Sequence, residues 1–285
     1  MLRPLVAFTA IGLLTLLLLP FQVVAVRFRL PARRYIPVVY HRAVCAILGV
    51  RIRQIGRRID AHPLLIVANH ASWLDVPVIA TLAPVVFVAK QEISRWPLFG
   101  LLARLQRTVF VDRSRRHKAR AVNGEIASRL AEGDPVVLFG EGTSSDGNRV
   151  LAFRSALIGA AHDALARIRD ADAVRIQPLS IAYTALHGLP LGRRQRPIVA
   201  WYGTADLLPH LVGIGRRGAI DAVVTWGTPL VYAPGSDRKA VARALEQEVR
   251  RMTVRSLRAH GAPAAARTPP HRSQGPSIPF CGETG

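Results

Sequence analysis

The chain has 285 residues, of which 50% are hydrophobic, enough for one large domain with a substantial core and a terminal segment. Lys and Arg number 39 against 18 Asp and Glu, which gives a formal net charge of +21 and indicates an anionic partner. Nucleic acid is disfavoured as that partner, because no zinc-finger spacing or RNP-like aromatic motif is visible. The two cysteines, Cys45 and Cys281, lie far apart and predict neither a disulfide framework nor a metal site.

Residues 1–34 are predicted to be a transmembrane or membrane-inserted segment with a basic flank. The stretch Leu5–Val26 contains no charged residue, and at about 1.5 Å per residue it is long enough to cross a bilayer. A signal peptide is disfavoured, because no small-x-small cleavage site precedes a polar sequence. The arginines after this stretch place the rest of the chain in the cytoplasm by the positive-inside rule. A hairpin that enters one leaflet, with residues 38–50 as its second limb, is the alternative to a full span.

The domain predicted for residues 35–259 alternates helices and strands. In chain order the pattern predicts a helix at Tyr35–Leu48, strands at Val50–Ile55 and Leu64–Ala68, a helix at Val76–Thr81, a strand at Val85–Ala89, a helix at Pro97–Leu105, a strand at Thr108–Val111, a helix at Ala119–Ala131, a strand at Pro135–Phe139, a helix at Phe153–Ile168, strands at Ile176–Tyr183, Pro197–Tyr202 and Asp221–Gly227, and a helix at Asp237–Arg258. This alternation predicts an α/β fold with a mixed β-sheet flanked by helices. Functional side chains are expected at the carboxyl ends of the strands, where His70, Arg113 and Glu141 fall. Residues 260–285, rich in Pro, Gly, Ala and Ser, are predicted to form a disordered tail.

His70 and Asp75 are the candidate catalytic pair. The buried strand Leu64–Ala68 ends just before His70, and a helix predicted to begin near Ser72 carries Asp75. A carboxylate that holds one ring nitrogen of a histidine leaves the other nitrogen free to act as a general base. A substrate that brings its own hydroxyl then needs no serine or cysteine nucleophile. The same residues also fit a capping Ser72, a surface Asp75 and a structural His70.

Four sequence blocks resemble the 1-acylglycerol-3-phosphate acyltransferase family, the glycerolipid acyltransferases with an N-H-x4-D motif. The first block is Asn69–Asp75 and the second is Phe110–Arg113. The third, Phe139–Thr143, stands where the family has F-P-E-G-T, and the fourth, Ile176–Leu179, is a strand that contains a proline. The blocks occur in the family's order, and the resemblance covers residues 35–230.

The resemblance implies transfer of a fatty acyl group from an acyl thioester, acyl-ACP or acyl-CoA, to the hydroxyl of a lysolipid. Within the family the leading acceptor is 1-acyl-sn-glycerol-3-phosphate, which gives phosphatidate in phospholipid biosynthesis at the bacterial inner membrane. The resemblance makes His70 the general base and Asp75 the residue that orients it. The substrate-binding residues that it implies are Arg113, Glu141, Gly142 and Thr143. No metal or organic cofactor is implied, because the thioester is already activated.

Two departures from the family pattern concern the acceptor. Gly140 replaces the usual proline and is expected to loosen the turn, and Ser144 replaces an arginine that many members carry. One phosphate-binding charge is therefore missing, and the residues that would compensate are Arg113, Arg149 and Arg154. Alternatively the acceptor is not a phosphomonoester. Acyltransferases that esterify lyso-ornithine lipid share the blocks, and residues 201–210 resemble the bacterial subgroup that contains them, so lyso-ornithine lipid is the alternative acceptor.

Two further predictions concern the apolar surfaces and the class of function. The apolar residues of Lys90–Phe99 are predicted to pack in the core rather than to line an acyl channel.

A membrane-anchored lipid-binding protein without catalysis is the alternative class, against which the intact His70 and Asp75 argue. The expected partners are a lysolipid acceptor, an acyl thioester donor and membrane lipids, without nucleic acid.

Overall fold

The structure, a computed structural model, describes residues 2–111, 119–168 and 172–261. Arg113 and most of the predicted tail, from residue 262 on, lie outside these ranges. The helices are α1 (Leu2–Arg27), α2 (Ala32–Leu48), α3 (Asp75–Ala80), α4 (Pro97–Leu105), α5 (Ala119–Ala131), α6 (Ser155–Arg167), α7 (Leu207–Arg217) and α8 (Arg238–Gly261). The strands are β1 (Val50–Ile55), β2 (Leu64–Ala68), β3 (Val86–Lys90), β4 (Val109–Val111), β5 (Val136–Phe139), β6 (Val174–Leu186), β7 (Leu189–Pro190), β8 (Ile220–Trp226) and β9 (Leu230–Tyr232).

These strands form one mixed sheet in the order β1-β8-β6-β2-β5-β3-β4, with β7 and β9 also paired to β6. Strand β2 is parallel to both of its neighbours, β5 and β6, whereas β8 is antiparallel to β6. The predicted mixed sheet flanked by helices is therefore confirmed. Because β2 and β5 run side by side in the same direction, the residues that follow them, His70 and Glu141, emerge at the same edge of the sheet.

Strand β2 forms the centre of the core. All of its residues are buried. Leu64, Ile66 and Ala68 belong to one hydrophobic cluster, and Leu65 and Val67 belong to the cluster on the other face. This division follows from the alternation of side chains along a strand, and both faces of the sheet are covered by helices. A continuous apolar run is the pattern that such a strand requires.

The two N-terminal helices form an antiparallel pair, which we call the N-terminal hairpin. Thr15 Oγ1 lies 3.0 Å from Tyr40 Oη, and Gln22 Nε2 lies 3.2 Å from Arg33 O, to which it donates. Within the described residues, α1 is the one helix that is long and apolar enough to cross a membrane by length and composition. The predicted boundary between residues 34 and 35 falls inside α2, which ends at Leu48 with Gly49 as its C-cap, as predicted.

Both ends of α1 contact the α/β domain. Near its start Arg3 donates to the backbone carbonyls of Gly215 in α7 and of Leu48 at the end of α2. Near its end Gln22 Nε2 donates to Leu105 O, the last residue of α4, over 2.7 Å. The helix therefore lies along the domain instead of projecting from it.

Three local predictions differ from the structure. The strand predicted at Pro197–Tyr202 is wrong, because the chain forms a 3-10 turn at Arg196–Ile198, in which the proline ring fixes the backbone. Helix α7 was not predicted, because Pro209 and its glycines interrupt the pattern. Helix α3 begins at Asp75 instead of Ser72.

The prediction that the apolar residues of Lys90–Phe99 pack in the core is wrong for the end of this segment. Leu98 and Phe99 are exposed, as is Leu101 in the same helix. They form an exposed apolar face on α4, the helix whose last residue contacts α1.

Candidate active site

The histidine and aspartate of the first block form the predicted pair. His70 Nδ1 lies 2.7 Å from Asp75 Oδ2, and Asp75 is fully buried while 19% of the His70 side chain is exposed. Because Nδ1 is held by the carboxylate, Nε2 is the ring nitrogen left for a substrate hydroxyl. The interpretation in which Asp75 lies on the surface is therefore wrong.

Four donors hold the Asp75 carboxylate. Oδ2 accepts hydrogen bonds from His70 Nδ1 and from the backbone amides of Ala71, at 2.7 Å, and Ser72, at 3.0 Å. Oδ1 accepts a hydrogen bond of 2.7 Å from the Tyr183 hydroxyl. The turn thus folds around its own aspartate, and the rotation of the carboxylate is fixed from both oxygens.

Tyr183 is a site residue that sequence reasoning missed. It lies on β6 and reaches residues 69–75, the candidate catalytic turn (called the catalytic turn below), because β6 pairs with β2. Burial raises the pKa of its hydroxyl well above 10.0, and the neighbouring Asp75 charge raises it further, so the tyrosine stays a donor. Nothing local in the sequence marks this residue, since it is 108 positions from its partner.

Phe139 stacks on the imidazole of His70. The ring centroids of Phe139 and His70 are 4.0 Å apart, with 19° between the ring planes, and Phe87 stacks behind Phe139. The register of β2 and β5 produces this contact, because Ala68 lies opposite Phe139. A stacked ring limits rotation of the imidazole. The sequence placed Phe139 in the third block without a role.

Asn69 fixes the start of the catalytic turn. Its Nδ2 donates to Ile181 O over 2.9 Å, and its Oδ1 accepts from Ile181 N over 2.8 Å. The side-chain amide therefore continues the β2–β6 ladder for one residue beyond the end of β2. This gives the asparagine of the motif a structural function next to His70.

The third block lies under the catalytic turn. Glu141 is 2% exposed, and burial raises its pKa to about 8. The backbone amides of His70 and Leu151 oppose that shift, although neither makes a hydrogen bond of good geometry with the carboxylate. Gly142 has φ +69°, which favours glycine, and Thr143 is exposed. The structure thus brings the third block next to His70 with its acid turned inward.

The glycine that replaces the family proline does not loosen the turn. Gly140 N donates to Ala68 O over 2.9 Å, and Gly140 O accepts from Arg154 N over 2.9 Å. A Cβ at Gly140 would lie 2.6 Å from the Phe153 ring. Phe153 occupies the space that a larger residue would need, and a proline would also lose the hydrogen bond to Ala68. The expectation of a looser turn is wrong for this reason.

The predicted arginines are not brought together in the described part of the chain. Arg113 lies outside the described residues, and Arg149 and Arg154 are exposed. Among the residues that the structure describes, no group of three or more His, Cys, Asp or Glu is arranged to hold a metal ion.

Comparisons with known proteins identify the family. The model of the family described as Acyltransferase matches residues 49–182. The lyso-ornithine lipid O-acyltransferase of Brucella abortus is 47% identical over 252 residues, which cover 88% of this chain and 94% of that protein. The enzyme of the same name from Rhizobium meliloti is 43% identical over 268 residues, with 94% and 91% covered. The 1-acyl-sn-glycerol-3-phosphate acyltransferase of Neisseria meningitidis is 36% identical over 129 residues, with 45% and 50% covered.

A solved structure supports the fold. The crystal structure of the 1-acyl-sn-glycerophosphate acyltransferase PlsC from Thermotoga maritima matches 89% of this chain and 95% of its own, with a TM-score of 0.61 and 20% identity. The sequence blocks, the His70–Asp75 geometry and the length of the similarity agree. The chain belongs to the acyltransferase family that includes lyso-ornithine lipid and 1-acyl-sn-glycerol-3-phosphate O-acyltransferases.

Proposed function

We propose that the protein is a lyso-ornithine lipid O-acyltransferase. The observation that carries this proposal is the extent of the similarity, since the two relatives of that name match 88% and 94% of the chain. The Neisseria meningitidis relative named for 1-acyl-sn-glycerol-3-phosphate matches 45%. Ser144, which stands where many phosphate-using members carry an arginine, supports the same acceptor. Lysophosphatidate, the leading acceptor from the sequence, becomes the second candidate.

The chemistry of the acceptor defines the reaction. Ornithine has no hydroxyl group, so O-acylation of a lyso-ornithine lipid uses a hydroxyl on its amide-linked acyl chain. His70 Nε2 takes the proton of that hydroxyl, and Asp75 stabilises the imidazolium. The oxygen then attacks the thioester carbonyl, and the bond between carbon and sulfur breaks. The leaving thiolate receives the proton from His70, which restores the neutral base.

The substrate contacts in this proposal come from the second and third blocks. Gly142 and Thr143 face the acceptor from the loop after β5, and Glu141 supports that loop from beneath the catalytic turn. Arg113 of the second block, which lies outside the described residues, completes the proposed set. No metal or organic cofactor takes part in the proposed reaction, and the partners are the lysolipid, the acyl-ACP or acyl-CoA donor and membrane lipids.

We further propose that the N-terminal hairpin enters one leaflet of the bacterial inner membrane, with the catalytic domain in the cytoplasm. A helix that spans the bilayer separates its ends by the hydrocarbon thickness of about 30 Å. Both ends of α1 contact the same α/β domain, through Arg3 and Gln22. The apolar face that α1 leaves exposed includes Leu5, Leu13, Leu16, Leu17 and Phe21. This arrangement supports insertion along the membrane surface.

An acyl-transfer assay tests the proposed function. Membranes with the full chain, and matched membranes with His70→Ala, receive lyso-ornithine lipid or lysophosphatidate together with acyl-ACP or acyl-CoA. We expect kcat/KM for lyso-ornithine lipid to exceed that for lysophosphatidate by at least about 100-fold, because a site that pairs its polar groups with one headgroup leaves them unpaired with the other. The opposite preference would establish the second candidate, and binding of both lipids without transfer would establish a non-catalytic lipid-binding protein.

A further inference from the structure

A small polar network lies beside the catalytic turn and belongs to none of the four sequence blocks. It consists of Asp146, Asn148 and Arg196, and we call it the rim network. Asn148 Nδ2 donates to Asp146 Oδ2 over 3.1 Å, and an Nη of Arg196 donates to Asn148 Oδ1 over 3.1 Å. The network therefore holds an acidic and a basic side chain on either side of one amide.

The rim network is close to the general base. Ser145 N donates to His70 O over 2.9 Å, which holds the start of the loop against the catalytic turn. A Cβ at Gly147 would lie 3.8 Å from Arg196 Cβ and 3.9 Å from Ala71 Cβ. Arg196 and the residue after His70 thus face the same glycine from two sides.

The guanidinium of Arg196 has unused hydrogen-bonding capacity. The side chain is partly buried, and its Nε, which is shielded from solvent, has no hydrogen-bond partner among the described residues. Within the same residues it forms no ion pair closer than 4.0 Å with a carboxylate. A guanidinium has five N–H donors, and a carboxylate accepts two of them as a fork. Arg196 is therefore suited to receive an external anion.

Asp146 supplies the opposite charge. Burial raises the pKa of its carboxyl, but hydrogen bonds from Asn148 and the charge of Arg149 outweigh that effect and lower it. Both oxygens are oriented by Asn148, through its backbone N at 3.0 Å and its side-chain amide at 3.1 Å. The rim network thus presents a fixed carboxylate next to a fixed guanidinium.

We propose that the rim network binds the zwitterionic headgroup of the acceptor, with Arg196 on its carboxylate and Asp146 on its ammonium group. The inference rests on the proposed function, because an N-acylated ornithine retains both charges. A phosphomonoester has only negative charge, which Asp146 would repel. The replacement of the family arginine by Ser144 removes from the same loop a cation that would favour a phosphomonoester.

A purely structural role, as a stabilised turn, explains only part of the rim network. An aspartate that accepts from the backbone two residues later stabilises many turns, and this explains the contact between Asp146 and Asn148. It does not explain why Arg196, a partly buried arginine from another loop, reaches this turn through Asn148 while no carboxylate among the described residues lies within 4.0 Å of its guanidinium.

Matched pairs of variants and acceptors test the proposal in the full-length membrane-bound enzyme. For lyso-ornithine lipid we expect Arg196→Ala to raise KM by about 10- to 100-fold with little change in kcat, the loss typical of a charge-assisted contact. The methyl ester of the acceptor carboxylate should be an equally poor substrate for the wild-type enzyme. Arg196→Ala should cause no further loss with this ester. Asp146→Asn should likewise raise KM for lyso-ornithine lipid, and it should cause no further loss with an acceptor whose amine is acetylated.

Arg194→Ala is the matched control, because it removes the same charge from an exposed position in the same loop. It should leave KM unchanged for both lyso-ornithine lipid and its methyl ester. Asp146→Asn should also improve the use of lysophosphatidate, since it removes the repulsion. If Arg196→Ala raises KM equally for the free acid and for the ester, the acceptor carboxylate is not the ligand of Arg196 and this inference is wrong. If the wild-type enzyme does not acylate lyso-ornithine lipid at all, the proposed function itself fails.

Discussion

At the scale of single residues, the His70–Asp75 pair determines whether the proposed reaction occurs. The acceptor hydroxyl is a poor nucleophile until a base removes its proton, so His70→Ala should lower turnover by about 10²- to 10⁴-fold. Asp75→Asn should also lower it steeply, because an amide does not stabilise the imidazolium. The double variant should lose little more than His70→Ala alone, since the two residues act as a unit. Multiplicative losses in acyl-transfer assays would show that they act independently.

Tyr183 positions this pair through the second carboxylate oxygen. Tyr183→Phe removes one of the four hydrogen bonds to Asp75, and we expect kcat to fall on the order of tenfold while KM changes little. Tyr40→Phe, which removes a hydroxyl in the N-terminal hairpin, is a matched control that should leave kcat unchanged. Unchanged kcat in Tyr183→Phe would show that this hydroxyl does not position the pair.

Glu141 makes stability depend on pH. Its pKa is raised by burial to about 8 in the folded protein, above the unfolded value near 4.5. The folded state therefore binds the extra proton, and the free energy of unfolding should fall as pH rises from about 4.5 to 8. Glu141→Gln removes this dependence and should have the higher Tm at pH 8. Thermal unfolding at several pH values measures it, and an identical pH dependence in both proteins would contradict the assignment.

At the scale of elements, buried ion pairs attach the N-terminal hairpin to the sheet. Asp134, which is 3% exposed, lies 2.7 Å from Arg34 Nε of α2 and also pairs with Arg107, which is 7% exposed. Asp134→Ala leaves the half-exposed Glu132 as the carboxylate that pairs with the buried Arg107, and we expect a loss of about 2–3 kcal/mol of unfolding free energy, because buried donors of Arg107 lose their acceptor. Asp221→Ala, which breaks an exposed pair with Arg51, should cost at most about 1 kcal/mol. Equal losses in chemical denaturation would show that burial does not matter here.

The elements also show what the sequence can predict. Strand β2 was predicted because its apolar run is a local pattern, and the pair His70–Asp75 is only five positions apart. Tyr183, Asn69 and Phe139 acquire their roles from the pairing of β2 with β6 and β5, which no short window contains. The same limit applies to Gly140, whose tight turn depends on the Phe153 ring. Proline and glycine mask the helical pattern of α7 in the sequence. Its tertiary contacts with α1 leave no signal in the local sequence.

At the scale of the whole molecule, the sheet combines the site from three strands. His70 follows β2, the stacking ring of Phe139 ends β5, and Tyr183, which donates to the Asp75 carboxylate, lies on β6. Helix α7 connects this site to the N-terminal hairpin. Trp73 Nε1, within the catalytic turn, donates to His210 Nδ1 of α7 over 2.9 Å, while Arg3 of α1 donates to Gly215 O of the same helix. The N-terminal hairpin is thereby connected through α7 to the turn that holds His70 and Asp75.

The position of α1 along the domain predicts the topology of the protein in the membrane. If the hairpin enters one leaflet, a peptide tag before Met1 should lie on the same side as the catalytic domain. In sealed inverted inner-membrane vesicles, protease should remove that tag without detergent. High salt should not release the protein, because apolar insertion is not screened as surface charge is. Replacing two exposed leucines of α1, Leu13→Arg with Leu16→Arg, should weaken attachment, since it places charge in the inserted face. A tag that is protected in inverted vesicles and cleaved in right-side-out vesicles would instead establish a full transmembrane span.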